Sequence, residues 1–176
     1  MNAESDLAPQ SAAQNVDWNA LYADHLPRVY NYFRYRVGDG PEAEDLTAET
    51  FEKAWRGRMR YRRSRGAFST WLFTIARNVA VDSFRRRRPT VPFDTVHGRA
   101  DGMPLDEVVQ RHGDLARLGA LLARLPTRER ELVALKYGAG LTNRSIAGLT
   151  GLSESNVGTI LHRVVRRLRE QWEREE

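Results

Sequence analysis

Residues 125–170 read LPTRERELVALKYGAGLTNRSIAGLTGLSESNVGTILHRVVRRLRE, and the apolar spacing within this stretch decides the fold class. Ile146, Ala147 and Leu149 make the apolar side of a short helix, and Gly151-Leu152-Ser153 supplies a turn. Ser153 is placed to cap the next helix, because its hydroxyl can accept from an orphan N–H of the first turn. Beyond it Val157, Ile160, Leu161, Val164 and Leu168 follow the i, i+3, i+4, i+7 pattern of an amphipathic helix. At about 100° per residue, that stripe turns Ser155, Thr159, His162, Arg163 and Arg166 to the opposite face. A short helix, a glycine turn and a longer helix with a basic outer face fit the helix-turn-helix, whose second helix enters the DNA major groove. An ordinary helical hairpin with a solvated basic face shares the pattern, and this segment alone leaves both readings open.

Composition narrows the class. The chain has 176 residues, room for one medium domain or two small ones. It has no cysteine, which excludes disulfides and thiolate metal sites and fits a reducing, cytoplasmic setting. The N-terminus lacks a basic start followed by an apolar core, and no stretch approaches the roughly 18 to 20 apolar residues that cross a bilayer. Membrane insertion is not expected. Nor is catalysis: there is no HExxH, phosphate-cradling glycine loop or cysteine nucleophile. His25, His97, His112 and His162 have no metal-ligand spacing and are expected at the surface or in a linker, so no metal or cofactor is implied.

The net charge of +5 is unevenly spread. Residues 1–55 carry 4 basic and 10 acidic side chains, whereas residues 56–88 carry 11 and 1. The basic charge is concentrated in GRMRYRRSR at 57–65 and in Arg85 to Arg88. Arginine clusters interleaved with an aromatic (Tyr61) suit phosphate neutralisation and base stacking.

Along the chain, residues 1–16 are small, polar and aperiodic, the composition of a disordered tail. Asp17 can cap a helix through Leu21, Leu26, Val29, Tyr30 and Phe33 to about Gly38, with Pro27 expected to kink or loosen one turn. Pro41 fits the first turn of a second helix to about Trp55. A third helix runs from about Ala67 to Arg87 and closes at Pro89. Residues 89–113, rich in Pro, Gly and Asp, read as a linker, with a short helical turn conceivable at 105–110. A second domain then starts near Asp114. No alternating apolar run is long enough for a sheet, so the expected fold is all-α: two small helical domains, 17–88 and 114–176, joined by a flexible linker. The linker has no apolar face, so the domains are expected to be independent modules.

Two helices carry more than packing. In the second, Glu42, Asp45, Glu49 and Glu52 line one face, while Ala43, Leu46, Phe51, Ala54 and Trp55 cover much of the remainder. Such a stripe is either a solvated face or a surface for a basic partner; like charges at this spacing repel, and only Lys53 stands nearby. In the third helix, Phe68, Leu72, Ile75 and Val79 form a core stripe. Trp71, Asn78 and Arg85 recur by sevens on one flank, and Phe73, Arg77, Phe84 and Arg88 lie on the other. Aromatic, amide and guanidinium groups on one basic helix can stack on an unpaired base, bond its edge and hold its phosphate. Trp71 taken singly reads slightly better as core.

LYADHLPRVYNYFRYRVGD, AEDLTAETFEKAW and FSTWLFTIARNVAVDSFRRRR, then a linker and the helix-turn-helix segment, resemble a bacterial sigma factor of the sigma-70 family. The match is to the small two-domain, extracytoplasmic-function type and covers about residues 17–172. The C-terminal segment also resembles the helix-turn-helix output domain of response regulators. Residues 17–88, however, lack the βα alternation of a receiver domain.

The sigma resemblance implies that core RNA polymerase and promoter DNA are partners, with an anti-sigma factor as regulator. It implies that the acidic helix binds the polymerase clamp through Asp45, Leu46, Glu49, Phe51, Glu52 and Trp55. The arginine loop and third helix would capture flipped −10 bases through Arg62, Arg63, Arg65, Trp71, Asn78 and Arg85; unstacking costs a few kcal/mol, offset by pocket and phosphate contacts. The helix-turn-helix would read the −35 element. There the chain departs from the family: Gly158, Thr159 and Ile160 stand where a basic residue, a serine and a basic residue are common. Base contacts then fall to Ser155, Asn156, Thr159, His162 and Arg163, phosphate contacts to Arg166 and Arg167, and Ile160 is expected to pack on the preceding helix.

Overall fold

A computed structural model describes residues 17–62, 64, 66–86 and 105–174. The expected disordered tail, Arg63, Arg65 and the first part of the expected linker lie outside the described residues. Among those described, all regular structure is helical.

Helix α1 (Trp18–Val37) starts where Asp17 accepts hydrogen bonds from the Asn19 and Ala20 amides, both at 3.0 Å. It runs unbroken past Pro27, which faces solvent. Helix α2 (Pro41–Gly57) begins on Pro41, whose missing N–H would be an orphan there anyway. A 3₁₀ turn (Arg58–Arg60) leads toward α3 (Phe68–Arg86). Val29 and Phe33, Ala43, Leu46 and Ala54, then Leu72, Phe73, Ala76 and Val79 close a three-helix core. Thr47 and Thr50 are buried in it, their hydroxyls donating to the carbonyls of Ala43 and Leu46, so neither is left unsatisfied.

The second domain holds α4 (Leu105–Ala123), α5 (Thr127–Val133), α6 (Asn143–Thr150) and α7 (Glu154–Arg174). Helix α5 passes directly into a π-helical turn, Ala134–Gly138. Thr142 caps α6 through the Ser145 amide at 3.1 Å, and Ser153 caps α7 through the Asn156 amide at 3.2 Å. Gly151 takes the left-handed conformation (φ 73°) that the tight turn between them requires. Ile146, Val157, Leu161 and Val164 are buried, and Ile160 packs partly buried against the same core. The apolar pattern of 125–170 is thus realised as expected.

Three expectations need correction. The stretch 105–113 belongs to α4 rather than to a linker. His25 is buried at 6% exposure: its Nδ1 donates to the Leu21 carbonyl and its ring meets Phe68 edge-on. Most consequentially, the two domains are packed on each other. Arg36, only 3% exposed, and Tyr32, fully buried, lie on the side of α1 that meets α5 and the π turn. Arg28 Nε donates to the Ala139 carbonyl at 2.8 Å, and Arg130 Nη1 to the Arg36 carbonyl at 3.1 Å. The surface that joins the domains lies on the domain faces and not in the linker, so the linker's lack of an apolar face does not make them independent.

Candidate nucleic-acid and partner interfaces

The acidic face of α2 forms as the spacing requires, but it is less bare than the sequence suggests. Glu49 pairs with Lys53 at 2.9 Å and with Arg86 at 3.3 Å; Glu52 pairs with Arg56 at 2.6 Å. Arg56 stands four residues after Glu52, a partner visible in the sequence that the stripe argument passed over. The Lys53 hydrogen bond holds the Glu49 carboxyl below the usual carboxylate range, and Arg86 acts in the same direction. Asp45 is exposed at the start of the face. Trp55 is 53% exposed, with the Arg58 guanidinium 4.1 Å over its ring. Phe51 is half-buried against Tyr22, at 4.6 Å between centroids. Trp18, Tyr22, Phe51 and Trp55 line a groove of about 250 Å³ beside the carboxylates. Leu46 is 5% exposed, so it anchors α2 on the bundle and offers a partner little surface.

At one end of α3 an aromatic cluster joins Trp18, Phe68, Trp71 and Tyr61. Trp71 lies 5.3 Å from Tyr61, 5.5 Å from Phe68 and 6.2 Å from Trp18, centroid to centroid. It is half-buried, so it is neither plain core nor a free platform. Tyr61, read from sequence as a base-stacking group, is only 6% exposed and props Trp71 instead. Asn78 and Arg85 are exposed along α3, and Arg62 is exposed beside the cluster with its guanidinium on the Met59 carbonyl at 2.7 Å. Arg77, on the other flank, is turned toward the second domain, where its Nε donates to Glu131 Oε1 at 2.8 Å.

On α7, Ser155, Asn156, Thr159, His162, Arg163 and Arg166 are exposed together. The Thr159 hydroxyl donates back to the Ser155 carbonyl at 3.0 Å. Arg167 differs: it is paired with Glu129 of α5, which draws it off the basic face. A Cβ on Gly158 would stand 3.4 Å from Asn143 Nδ2, so this position faces the start of α6. Sequence reasoning missed Arg144, whose side chain is 88% exposed at the start of α6 and bonds Glu154 of α7 at 3.5 Å. The signal was its place next to the cap residue Thr142, a helix N-terminus that the helix-turn-helix turns toward DNA.

The comparisons agree with this arrangement. The profile for Sigma-70 region 2 matches residues 21–90, and that for Sigma-70, region 4 matches residues 115–168. The first match excludes the response-regulator reading. The chain is 33% identical over 168 residues to the ECF RNA polymerase sigma factor BldN of Streptomyces coelicolor, covering 93% of this chain and 63% of BldN. It is 31% identical over 144 residues to the ECF RNA polymerase sigma factor RpoE of Cereibacter sphaeroides, covering 82% and 78%. The fold superposes with a TM-score of 0.74 on the sigma factor RpoE of Bartonella quintana, solved with the anti-sigma factor NepR, at 22% identity and covering 89% and 97%. Among the described residues no helix is long and apolar enough to cross a membrane. With both sigma modules in order along one chain, this protein belongs to the extracytoplasmic-function sigma factors of the sigma-70 family, whose members direct RNA polymerase to promoters.

Proposed function

We propose that this chain binds core RNA polymerase through the α2 face, opens promoter DNA with α3 and the adjoining arginine loop, and reads the −35 element with α7. The observation that carries the reading is the separation of chemistry along the chain. Carboxylates with exposed Trp55 lie on α2, an aromatic cluster with arginines begins α3, and a basic outer face covers α7. On α2, Asp45, Glu49, Glu52, Phe51 and Trp55 make the surface, with Leu46 supporting it from the core. On α3, Trp71 and Asn78 are the base-capturing pair, with Arg62 and Arg85 toward phosphate. On α7, Ser155, Asn156, Thr159, His162 and Arg163 face the bases and Arg166 the backbone. The protein acts in the cytoplasm, where the polymerase works, and an anti-sigma factor controls it, as NepR is paired with the Bartonella RpoE. It supplies specificity to the polymerase and no chemistry of its own.

The test is reconstitution. Core polymerase given the purified chain should initiate from promoters recovered by sequencing the DNA it binds. Asn78→Ala should impair strand opening, read by permanganate footprinting, more than it weakens binding to −35 duplex. Normal opening in that variant would remove α3 from the assignment.

A further inference from the structure

We infer that Glu154, the first residue of α7, reads the amino group of a cytosine in the −35 element, and that Arg144 of α6 holds its carboxylate for that task. The inference rests on the sigma-factor reading above and adds a residue of opposite charge to the base-contacting set on α7.

A helix-turn-helix gives its two helices different targets. The first crosses the sugar–phosphate backbone, and the N-terminal residues of the second meet base edges in the major groove. Arg144 is the second residue of α6 and Glu154 the first of α7, so each stands at the start of its helix. Their side chains meet across the motif, Arg144 Nε donating to Glu154 Oε2 at 3.5 Å. Thr142 and Ser153 cap the two helices through the Ser145 and Asn156 amides, which fixes the backbone under both side chains. Ser155 and Asn156, the next two residues of α7, are exposed beside Glu154.

A carboxylate on a DNA-reading face needs a reason. Phosphates repel it, and an uncompensated one weakens binding to every sequence. Here Arg144 is the compensating cation. An ionised carboxylate only accepts hydrogen bonds. In the major groove the donors are the amino groups of cytosine and adenine. Adenine sets the acceptor N7 beside its amino group, which a carboxylate cannot satisfy, so cytosine is the base that fits. Within the protein Oε2 makes the bond to Arg144, which leaves Oε1 for the base.

The pair does not serve the fold. The Arg144 side chain is 88% exposed and that of Glu154 54%, and an exposed pair contributes little to stability. A carboxylate in a first turn suits the helix dipole, but that accounts for Glu154 alone and not for an arginine reaching it from the other helix. Arg144 engages Glu154 through Nε, so its Nη groups point the fork's remaining donors at the phosphate that the first helix crosses. A planar guanidinium can hold a carboxylate and a phosphate at once in fixed directions, which a lysine ammonium does not. Arg144 is therefore a positioning residue for Glu154 and a backbone contact in its own right.

The test offers the full chain with core polymerase a promoter library randomised through the −35 element and reads the enriched sequences. The parent chain should prefer cytosine at one position by about tenfold over the other bases. Glu154→Gln should move that preference to adenine, since an amide both donates and accepts. Glu154→Ala should flatten that position alone; Gln keeps the size and polarity of the side chain, so it decides the matter even where Ala perturbs the helix start. Arg144→Ala should blur the same position and make the salt dependence of binding shallower by about one phosphate contact. Arg144→Lys should recover the salt dependence and not the preference. If Glu154→Ala binds all sequences more tightly with an unchanged base profile, Glu154 is a repelled bystander and the inference is overturned. A sharp profile in Arg144→Ala overturns the positioning role. A parent complex that enriches no −35 sequence sinks the sigma reading and this inference with it, whereas a sharp parent profile that neither Glu154 variant alters sinks this inference alone.

Discussion

Arg167 of α7 is paired with Glu129 of α5, while its neighbour Arg166 is exposed and pairs with Glu170 of its own helix, at 3.8 Å. Adjacent arginines therefore have different duties. Arg166→Ala should make the salt dependence of −35 binding shallower by about one phosphate contact. Arg167→Ala should leave that slope unchanged and lower the melting point of the second domain slightly, since a partly exposed pair is worth about 0–1 kcal/mol. Equal slopes in the two variants would show that Arg167 leaves Glu129 when DNA arrives.

Gly158 is not held as glycine by its surroundings. A Cβ there would come 3.4 Å from the Asn143 amide, the far end of a side chain that can shift. Gly158→Ala should raise stability by up to about 1 kcal/mol, the helix propensity difference, and leave affinity for −35 duplex unchanged. A higher melting point together with lost affinity would instead mean that the α7 backbone approaches DNA at this position.

Charge reversal on α2 separates partner binding from folding. Asp45→Lys adds a base at an exposed position and should weaken capture of core polymerase strongly, with the circular dichroism spectrum intact. Glu49→Lys should do the same and also destabilise the domain, because it sets three cations together where Lys53 and Arg86 now share one carboxylate. Unaltered capture by Asp45→Lys at physiological salt would falsify the partner role of this face.

Tyr32 provides a pH dependence with a definite sign. Burial, the largest cause, raises its phenol pKa from 10.0 to about 12, with Glu131 adding to the rise. The folded protein holds this proton more tightly than the unfolded chain. Its contribution to stability is therefore complete below about pH 10, the unfolded value, and is lost as pH rises through the folded one. Tyr32→Phe should flatten this alkaline loss in thermal melts, though only in part, since Tyr30 is also raised to about 12 beside Asp39. At neutral pH the same variant removes a buried hydroxyl with no partner and should be neutral or stabilising by about 1 kcal/mol. A melting point lowered by several degrees at neutral pH would show that the hydroxyl has a partner in solution.

Local rules made most of the helices legible. Asp17, Pro41, Ser153 and Gly151 each act within one turn of their own position, and all four perform the structural role their chemistry implies. The apolar stripe of α7 was equally readable, because burial there follows a single period. What escaped were relations between distant residues. The burial of Arg36, the turning of Arg77 toward Glu131 and the capture of Arg167 by Glu129 depend on which helix lies opposite, and periodicity within one helix carries no trace of that. Glu52 and Arg56 are the exception, a pair that spacing alone could have found.

The π turn at Ala134–Gly138 carries a further consequence in helical phase. Such a turn amounts to one residue inserted into an α-helix, marked here by the Ala139 amide bonding the Ala134 carbonyl at 2.8 Å. The end of this helix is thereby rotated by up to about 100° relative to an uninterrupted α-helix. Gly138 faces α1 because of that rotation, so deleting a single residue within the turn would aim a different side of the helix at the first domain. One inserted residue thus sets which residue at the end of this helix is brought against α1, a setting that substitution of its side chains would leave in place.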